Sequence, residues 1–324
     1  MTLGRALSEA AAVKHSLWHP SRRALALVLL LALAAPAFGQ AQQHTWSGVE
    51  RIVAVGDLHG ECDAFVKILR AAKVIDDKDN WIAGKTHLVQ MGDVLDRWPD
   101  SRKAMDLLMK LEGQAVKAGG RVHALIGNHE AMVLFGNWGY VDPGEIEAFG
   151  GAEQYRKAMG PTGKYGKWIR SHNAVIKIND TLFVHAGLEA KHAKTPRGKI
   201  NDAVRKQLRE GGRKGLATDS FGPLWYRGNA LMTGEDLEED VSAVTKGHGV
   251  KRIVIGHTVS REGIKVRAGG RVIMTDIGIS EYYRKYGGRA GCLLIEKGQP
   301  YELYPGKKKK KLGIPAPKKL DAAG

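Results

Sequence analysis

Five short apolar runs in this chain end alike, in a glycine or alanine set beside polar side chains that can ligate a cation. They are RIVAVGDLHG from Arg51, LVQMGDVLDR from Leu88, RVHALIGNHE from Arg121, TLFVHAGL from Thr181 and RIVIGHTV from Arg252. Together they deliver Asp57, His59, Asp93, Asn128, His185 and His257: carboxylates, imidazoles and an amide, with no thiolate. That donor set suits manganese, iron or zinc better than a soft-metal or iron–sulfur centre. Two neighbouring divalent ions need an anionic ligand between them, which one Asp with two oxygens supplies. The pair also acidifies a shared water enough to make hydroxide near neutral pH.

A phosphate ester is the substrate that such chemistry fits. Its nonbridging oxygens need cations, and Arg97 and Arg227 (in GPLWYRG) offer bidentate guanidinium groups. The leaving oxygen needs a proton; His129 stands next to Asn128, and Asp96 is a carboxylate that could orient its ring and raise its pKa. In GDVLDR the first Asp would then hold metal, the second the acid histidine, and the Arg the substrate. Taken singly, each residue has an ordinary reading: a buried hydrogen-bonded His, an Asp capping a turn, an Asn in an Asx-turn. Recurrence at five strand ends is what argues against coincidence. His123, His172, His192 and His248 lack that context and are read as structural or solvent-exposed, while Tyr226, Tyr282 and Tyr283 are assigned to packing.

The elements around these residues follow from pattern. Runs of Val, Ile and Leu without alternation suit strands covered on both faces. Between the first three lie ECDAFVKILRAAKV and SRKAMDLLMKLEGQAV, whose apolar residues recur at helical intervals, the second stretch ending at Gly119-Gly120. The result is a βαβαβ arrangement with polar residues at the carboxyl ends of the strands, the edge where open α/β sheets bind ligands. Further strands are expected at about 263–268, 271–275, 292–296 and 300–304. Two insertions interrupt the pattern: about 131–171, rich in Gly and aromatics and read as short helices and loops over the cleft, and about 189–249, read as mainly helical.

Of the 324 residues, 43% are hydrophobic and 26% charged, as expected of a globular chain with a sizeable core. Two cysteines, Cys62 and Cys292, exclude a disulfide framework and match no zinc motif, so they are read as buried thiols with a single bridge as the alternative. Residues 1–39 have the three-part pattern of an export signal: Arg22 and Arg23, an apolar run from Ala24 to about Ala35, then small residues at cleavage positions. The run is short for a membrane anchor and Pro36 follows it, which favours a cleaved Sec-type signal and a secreted or periplasmic protein. Residues 40–305 are the expected domain. The net charge is +16, and over a third of it falls in residues 306–324, where seven lysines and one aspartate read as a disordered tail able to touch anionic surfaces weakly. Nothing in the pattern points to a specific nucleic acid.

GDLHG (56–60), GDVLDR (92–97), GNHE (127–130), HAGL (185–188) and GHT (256–258), in this order, resemble the calcineurin-like metallophosphoesterases and, more narrowly, the phosphoprotein phosphatase family. The similarity runs from about Arg51 to Glu296. GPLWYRG, MTDIGISEYY and GYVDPGE resemble the bacterial-type branch called Shewanella-like phosphatases. The resemblance implies a β-sandwich of mixed sheets flanked by helices, in place of the simpler doubly wound picture. It implies that Asp57 and His59 bind a first metal, that Asp93 bridges, and that Asn128, His185 and His257 complete a second site, with manganese the leading metal and iron or zinc the alternatives. It makes Asp96 and His129 the catalytic dyad and puts Arg97 and Arg227 on phosphate, with Glu130 as support outside the metal shell. The family usually has glycine after the DR pair; Trp98 stands there instead, which puts the pose of Arg97 in question.

The implied activity is hydrolysis of phosphomonoesters, with a phosphorylated protein (Ser/Thr or Tyr) or a small phosphomonoester as substrate, through in-line attack by metal-bound hydroxide. Two rivals are set against it. Hydrolases of nucleotides or dinucleoside polyphosphates in related families tend to have Asn for the second Asp and GNHD for GNHE, so Asp96 and Glu130 oppose that reading. A noncatalytic module that only binds phosphorylated ligands would not need His129.

Overall fold

The five apolar runs do become strands, and their register brings the polar ends together. The computed structural model describes residues 43–314; the export signal expected over residues 1–39 lies outside the described residues. The strands are β1 (Thr45–Trp46), β2 (Arg51–Val55), β3 (His87–Gln90), β4 (Arg121–Ala124), β5 (Val175–Ile178), β6 (Thr181–Val184), β7 (Arg252–Ile255), β8 (Lys265–Arg267), β9 (Val272–Met274), β10 (Cys292–Glu296), β11 (Gln299–Leu303) and β12 (Lys310–Lys311). The helices are α1 (Cys62–Ala71), α2 (Ser101–Lys117), α3 (Asn128–Leu134), α4 (Pro143–Ala148), α5 (Ala152–Met159), α6 (Lys164–Arg170), α7 (Arg197–Glu210), α8 (Gly228–Leu231), α9 (Gly234–His248) and α10 (Glu281–Arg284).

Two mixed six-stranded sheets result, in the orders β12-β11-β10-β2-β3-β4 and β1-β5-β6-β7-β9-β8. In the first, β2, β3 and β4 are parallel and level: Ile52 pairs with His87 and His87 with Arg121, while Val55 pairs with Gln90 and Gln90 with Ala124. The loops carrying Asp57, Asp93 and Asn128 therefore leave from one edge. In the second sheet β6, β7 and β9 are parallel, and Val184 and Ile255 lead directly to His185 and to Gly256-His257. The two edges meet closely. A Cβ on Gly56 would lie 2.3 Å from the Thr275 carbonyl oxygen.

Side-chain alternation sorts the layers. Ile176, Phe183, Val254 and Ile273 join the core shared with the first sheet, whereas Val175, Leu182, Val184, Ile253 and Val272 join a second core. That second core is closed by Ile200, Val204 and Leu208 of α7 and by Leu237, Val241 and Val244 of α9. On the first sheet the cover comes from Phe65, Ile68 and Leu69 of α1 and from Met105, Leu108 and Leu111 of α2. The architecture is thus a sandwich of two mixed sheets with helices outside each, as the resemblance implies and as a doubly wound sheet would not give.

Two details differ from the sequence reading. Part of the tail is ordered: residues 310–312 lie against β11, with Tyr301 pairing Lys311 and Glu302 pairing Lys310. The Leu312 side chain is buried and its N–H donates to the Pro300 carbonyl (3.1 Å). One apolar residue in a polar run, next to an unpaired sheet edge, is enough to dock the segment; residues 315–324 fall outside the described residues. In the first insertion, α6 packs beside α2, through hydrogen bonds from Tyr165 to Asp106 and from Trp168 to Glu112. Its earlier part, around residues 137–148, is what borders the cleft. Cys62 and Cys292 are free and buried, and burial pushes each thiol up to about 12.

Candidate active site

The site is assembled by loops whose backbone is held in unusual shapes. His59 (φ 45°), Asp93 (54°), Asp96 (73°), Arg97 (70°) and His257 (62°) all adopt left-handed conformations, although none is glycine. Each such residue costs on the order of 1–3 kcal/mol and persists only where its surroundings over-determine it. Glu130 supplies much of that restraint. Its carboxylate accepts the N–H groups of Asp93 (2.8 Å) and Gly127 (2.7 Å) on one oxygen and that of Val94 (2.8 Å) on the other. The Asp93 carbonyl in turn accepts the N–H groups of Leu58 (3.0 Å) and His59 (2.9 Å). Close approach also matters: a Cβ on Gly92 would lie 2.7 Å from the Gly127 nitrogen and 2.8 Å from His185 Nδ1.

At the centre stands Asp93 Oδ2. His185 Nε2 lies 3.4 Å from it, His59 Nε2 3.8 Å and His129 Nε2 3.9 Å, while Asp93 Oδ1 accepts the His129 N–H (2.9 Å). Two triads share this carboxylate, His59–Asp93–His129 and Asp93–His185–His257, each with its donor atoms within 4.8 Å of one another and every side chain buried. Asn128 joins the second: its Oδ1 lies 2.9 Å from His185 Nε2.

The tautomers follow from the outer contacts. His59 Nδ1 faces the Leu95 carbonyl (3.1 Å) and His185 Nδ1 the Met91 carbonyl (2.8 Å), so each Nδ1 is the protonated donor and each Nε2 is turned inward. Burial lowers the pKa of His59 to about 3 against the pull of Asp93. Burial also opposes charge on His185, but Asp93 and Asp57 outweigh it and hold that imidazole up at about 10. Burial and the neighbouring His185 push His257 down to about 2, and its buried Nε2 has no hydrogen-bond partner among the described residues. A place that keeps one imidazole charged and leaves another lone pair orphaned fits a divalent cation, and the N/O donor set matches.

The other expected residues lie at the rim. Asp57 is buried beside the triads but not within them: both carboxylate oxygens accept the His257 N–H (3.1 and 3.0 Å), and burial together with Asp276 raises its pKa. His129 Nδ1 is 2.6 Å from Asp96 Oδ2, and although burial opposes it, the charges of Asp93 and Asp96 raise the His129 pKa. Arg97 Nη2 reaches within 3.4 Å of His129 Nε2, so Trp98 does not turn the guanidinium away. Exposed Arg227 is fastened beside His257, its Nη1 donating to the His257 carbonyl (3.1 Å) and to Thr258 Oγ1 (2.9 Å).

The calcineurin-like phosphoesterase family profile matches residues 50–261, most of the chain and every element from β2 to β7. The chain belongs to the calcineurin-like phosphoesterases. It is 31% identical to Shewanella-like protein phosphatase 1 of Plasmodium berghei over 80% of this chain and 71% of that protein. To Shewanella-like protein phosphatase 2 of Arabidopsis thaliana it is 29% identical, covering 72% of each. A crystal structure of the cold-active protein-tyrosine phosphatase of a psychrophilic Shewanella species superposes with a TM-score of 0.74 at 30% identity, covering 85% of both chains. Within the calcineurin-like phosphoesterases the chain groups with the Shewanella-like protein phosphatases and is a phosphatase-type hydrolase.

Several residues of this phosphoesterase site escape a reading of the sequence. Tyr282 and Tyr283, taken for packing residues, line the site: the Arg97 guanidinium lies over both rings, 5.3 and 5.6 Å from their centroids, and Tyr283 is 5.8 Å from the His59 ring. Tyr140, half exposed, is the third ring under Arg97 (4.8 Å) and also flanks His129 (5.3 Å). Tyr226 does pack, buried with its hydroxyl donating to Asp240 (3.1 Å). Asp276 is a fully buried carboxyl beside Asp57, raised to about 6 by burial. RVIMTDIG, an apolar run ending in Asp just short of Gly, repeats the construction of the other five and was the available signal.

Proposed function

We propose that this chain is a binuclear metal-dependent phosphomonoesterase that acts on phosphorylated proteins. The carrying observation is the pair of triads that share Asp93. Asp57, His59 and Asp93 would hold one divalent cation, and Asp93, Asn128, His185 and His257 the other, with manganese the leading metal and iron or zinc the alternatives. Bound cations of this kind acidify a water so that it attacks phosphorus near neutral pH, and they neutralise the phosphate oxygens.

The chain's own groups do the rest. Arg97 reaches the cluster at His129 and Arg227 at His257, and both would grip the nonbridging oxygens. In-line displacement breaks the bond from phosphorus to the leaving oxygen, which takes a proton from His129 Nε2. Asp96, at Nδ1, orients the ring and favours its charged form. Arg97, Tyr140 and Tyr282 form an aromatic-walled rim suited to an aryl leaving group, and the Shewanella relative is a protein-tyrosine phosphatase, so phosphotyrosine is the favoured substrate over phosphoserine and phosphothreonine. With an export signal at residues 1–39, the enzyme would act outside the cytoplasm.

The test is turnover of p-nitrophenyl phosphate and of matched phosphotyrosyl and phosphoseryl peptides by protein loaded with Mn²⁺, Fe²⁺ or Zn²⁺ after chelation. The expected result is metal-dependent turnover, fastest on the phosphotyrosyl peptide. No turnover of any of these esters with any metal would leave only a phosphate-binding role.

A further inference from the structure

We infer that Glu145, from the first insertion, is a positioning residue for the Asp96–His129 dyad; this rests on the phosphomonoesterase reading above. Asp96 holds His129 through one short hydrogen bond (2.6 Å), and its other carboxylate oxygen has no hydrogen-bond partner among the described residues. The residue is also in the left-handed region (φ 73°), which a side chain with a Cβ disfavours. Something outside the loop must therefore keep that carboxylate in place.

Both restraints come from residues 140–145. The Arg97 N–H donates to the Tyr140 carbonyl (2.8 Å), and the Asp96 N–H donates to Glu145 Oε2 (3.2 Å). Glu145 is itself fixed from two further sides. Ser101 Oγ, at the start of α2, donates to Oε2 (2.6 Å), and the Tyr155 hydroxyl of α5 donates to Oε1 (2.8 Å). The short turn before it is rigid: the Asp142 side chain accepts the Gly144 N–H (2.8 Å), with Pro143 opening α4. Glu145 is fully buried and, among the described residues, forms no ion pair. Burial raises its carboxyl to about 7, so a group with this surface of three donors is retained at a cost that an apolar residue would avoid. A mere staple of α4 to α2 and α5 would need only the Ser101 and Tyr155 bonds; the bond to Asp96 is the one that reaches the chemistry.

Leaving-group dependence separates positioning from general stability. A proton from His129 matters greatly for phenyl phosphate, whose phenol is a weak acid, and little for p-nitrophenyl phosphate, whose phenol is acidic. The experiment measures kcat and KM for both esters, at equal metal content, for the wild type, Asp96→Asn, Glu145→Ala, Glu145→Gln and Asp96→Asn/Glu145→Ala. Asp96→Asn is expected to lose about 10²-fold in kcat on phenyl phosphate and only a few-fold on p-nitrophenyl phosphate. Glu145→Ala should shift the ratio of the two kcat values the same way by about 10-fold or more with KM nearly unchanged. Glu145→Gln, which keeps an acceptor, should recover part of that shift, and the double variant should be little worse than Asp96→Asn alone. Should Glu145→Ala fail to fold, Ser101→Ala frees one side of the carboxylate and is expected to move the ratio a few-fold.

Proportional losses on both esters in Glu145→Ala, additive with Asp96→Asn, would reduce Glu145 to a staple and overturn the inference. An unchanged ratio in Ser101→Ala, where only that variant folds, would do the same. If Asp96→Asn itself showed no leaving-group dependence, the dyad reading and this inference would fall together, which distinguishes the two failures.

Discussion

The molecule contains two buried groups of histidines, and they differ in what their rings face. At the carboxyl end of β3, four imidazoles gather round Asp93. At its amino end, His87 meets His123 of β4 (Nδ1 to Nε2, 3.1 Å), with the Trp46 ring 4.3 Å from His123 and Arg121 lying over that indole. Burial is alike in both places. In the rear pair the inward nitrogens satisfy each other, one donating and one accepting, and among the described residues no carboxylate pairs with them. In the front group, Nδ1 of His59 and of His185 is occupied by a backbone carbonyl, so their Nε2 atoms converge on a carboxylate with nothing to share but a cation or a proton. Residue type and burial are therefore poor markers of a site; the partner of the second nitrogen is the marker.

The strongest way to break this comparison is at Asp93. Asp93→Asn removes the carboxylate common to both triads, and the expected losses are metal and turnover together. The fall in kcat/KM should exceed the ~10–100-fold typical of changes just outside a metal's ligands. Metal analysis beside a p-nitrophenyl phosphate assay checks it; a variant that keeps two equivalents of metal would show that Asp93 is not shared. Next in size is His129→Ala, which should retain the metal but lose about 10²–10⁴-fold in kcat on phenyl phosphate. Loss of metal from this variant would instead make His129 a ligand, the reading that its place in the first triad also allows. A third measurement compares ends of the molecule directly. Chelation should lower the stability of the wild type by about 3 kcal/mol for each site whose metal had been present at about 100 times its Kd. It should lower that of His87→Gln by the same amount, because among the described residues the rear pair belongs to neither metal-ligating group.

How much of this was legible beforehand depends on distance along the chain. The donors were legible because each sits next to a glycine or alanine at the end of an apolar run, a purely local pattern. So were β2, β3, β4, β6, β7 and β8 to β11. The sandwich came from resemblance; the short runs of Val and Ile are equally consistent with one doubly wound sheet, and only pairing across more than a hundred residues separates the two. The strands β1 and β5 were missed because Thr45–Trp46 is too short to show a period and Val175–Ile178 has a lysine inside it. Leu312 is a single apolar residue among lysines, too little to mark β12. Left-handed backbone at Asp93, Asp96 and Arg97 has no signature in residue type, since it is imposed by Glu130, Tyr140 and Glu145 from elsewhere in the chain. Tyr140 and Tyr283 belong to the site for the same reason: Arg97 comes to them.

The smallest of these effects concerns the rear pair alone. Burial, with help from Arg121, lowers His87 to about 4, and burial and His87 lower His123 as well. A folded-state pKa below the unfolded value means that between about pH 6.5 and 4 the unfolded chain binds protons that the folded chain refuses. Stability must therefore fall as the pH drops through that window, by about 2 kcal/mol for His87 between pH 7 and pH 5. His87→Gln removes the titrating group while leaving His123 a hydrogen-bonding neighbour. Urea unfolding at pH 7 and pH 5, at constant metal, should show the wild type losing about 2 kcal/mol more than the variant, with phosphatase activity at pH 7 the same within about two-fold. Equal acid sensitivity in the two proteins would mean that His87 accepts its proton inside the fold. The rear pair would then have a charge partner after all, and the contrast between the two histidine groups would no longer explain why only one of them is a site.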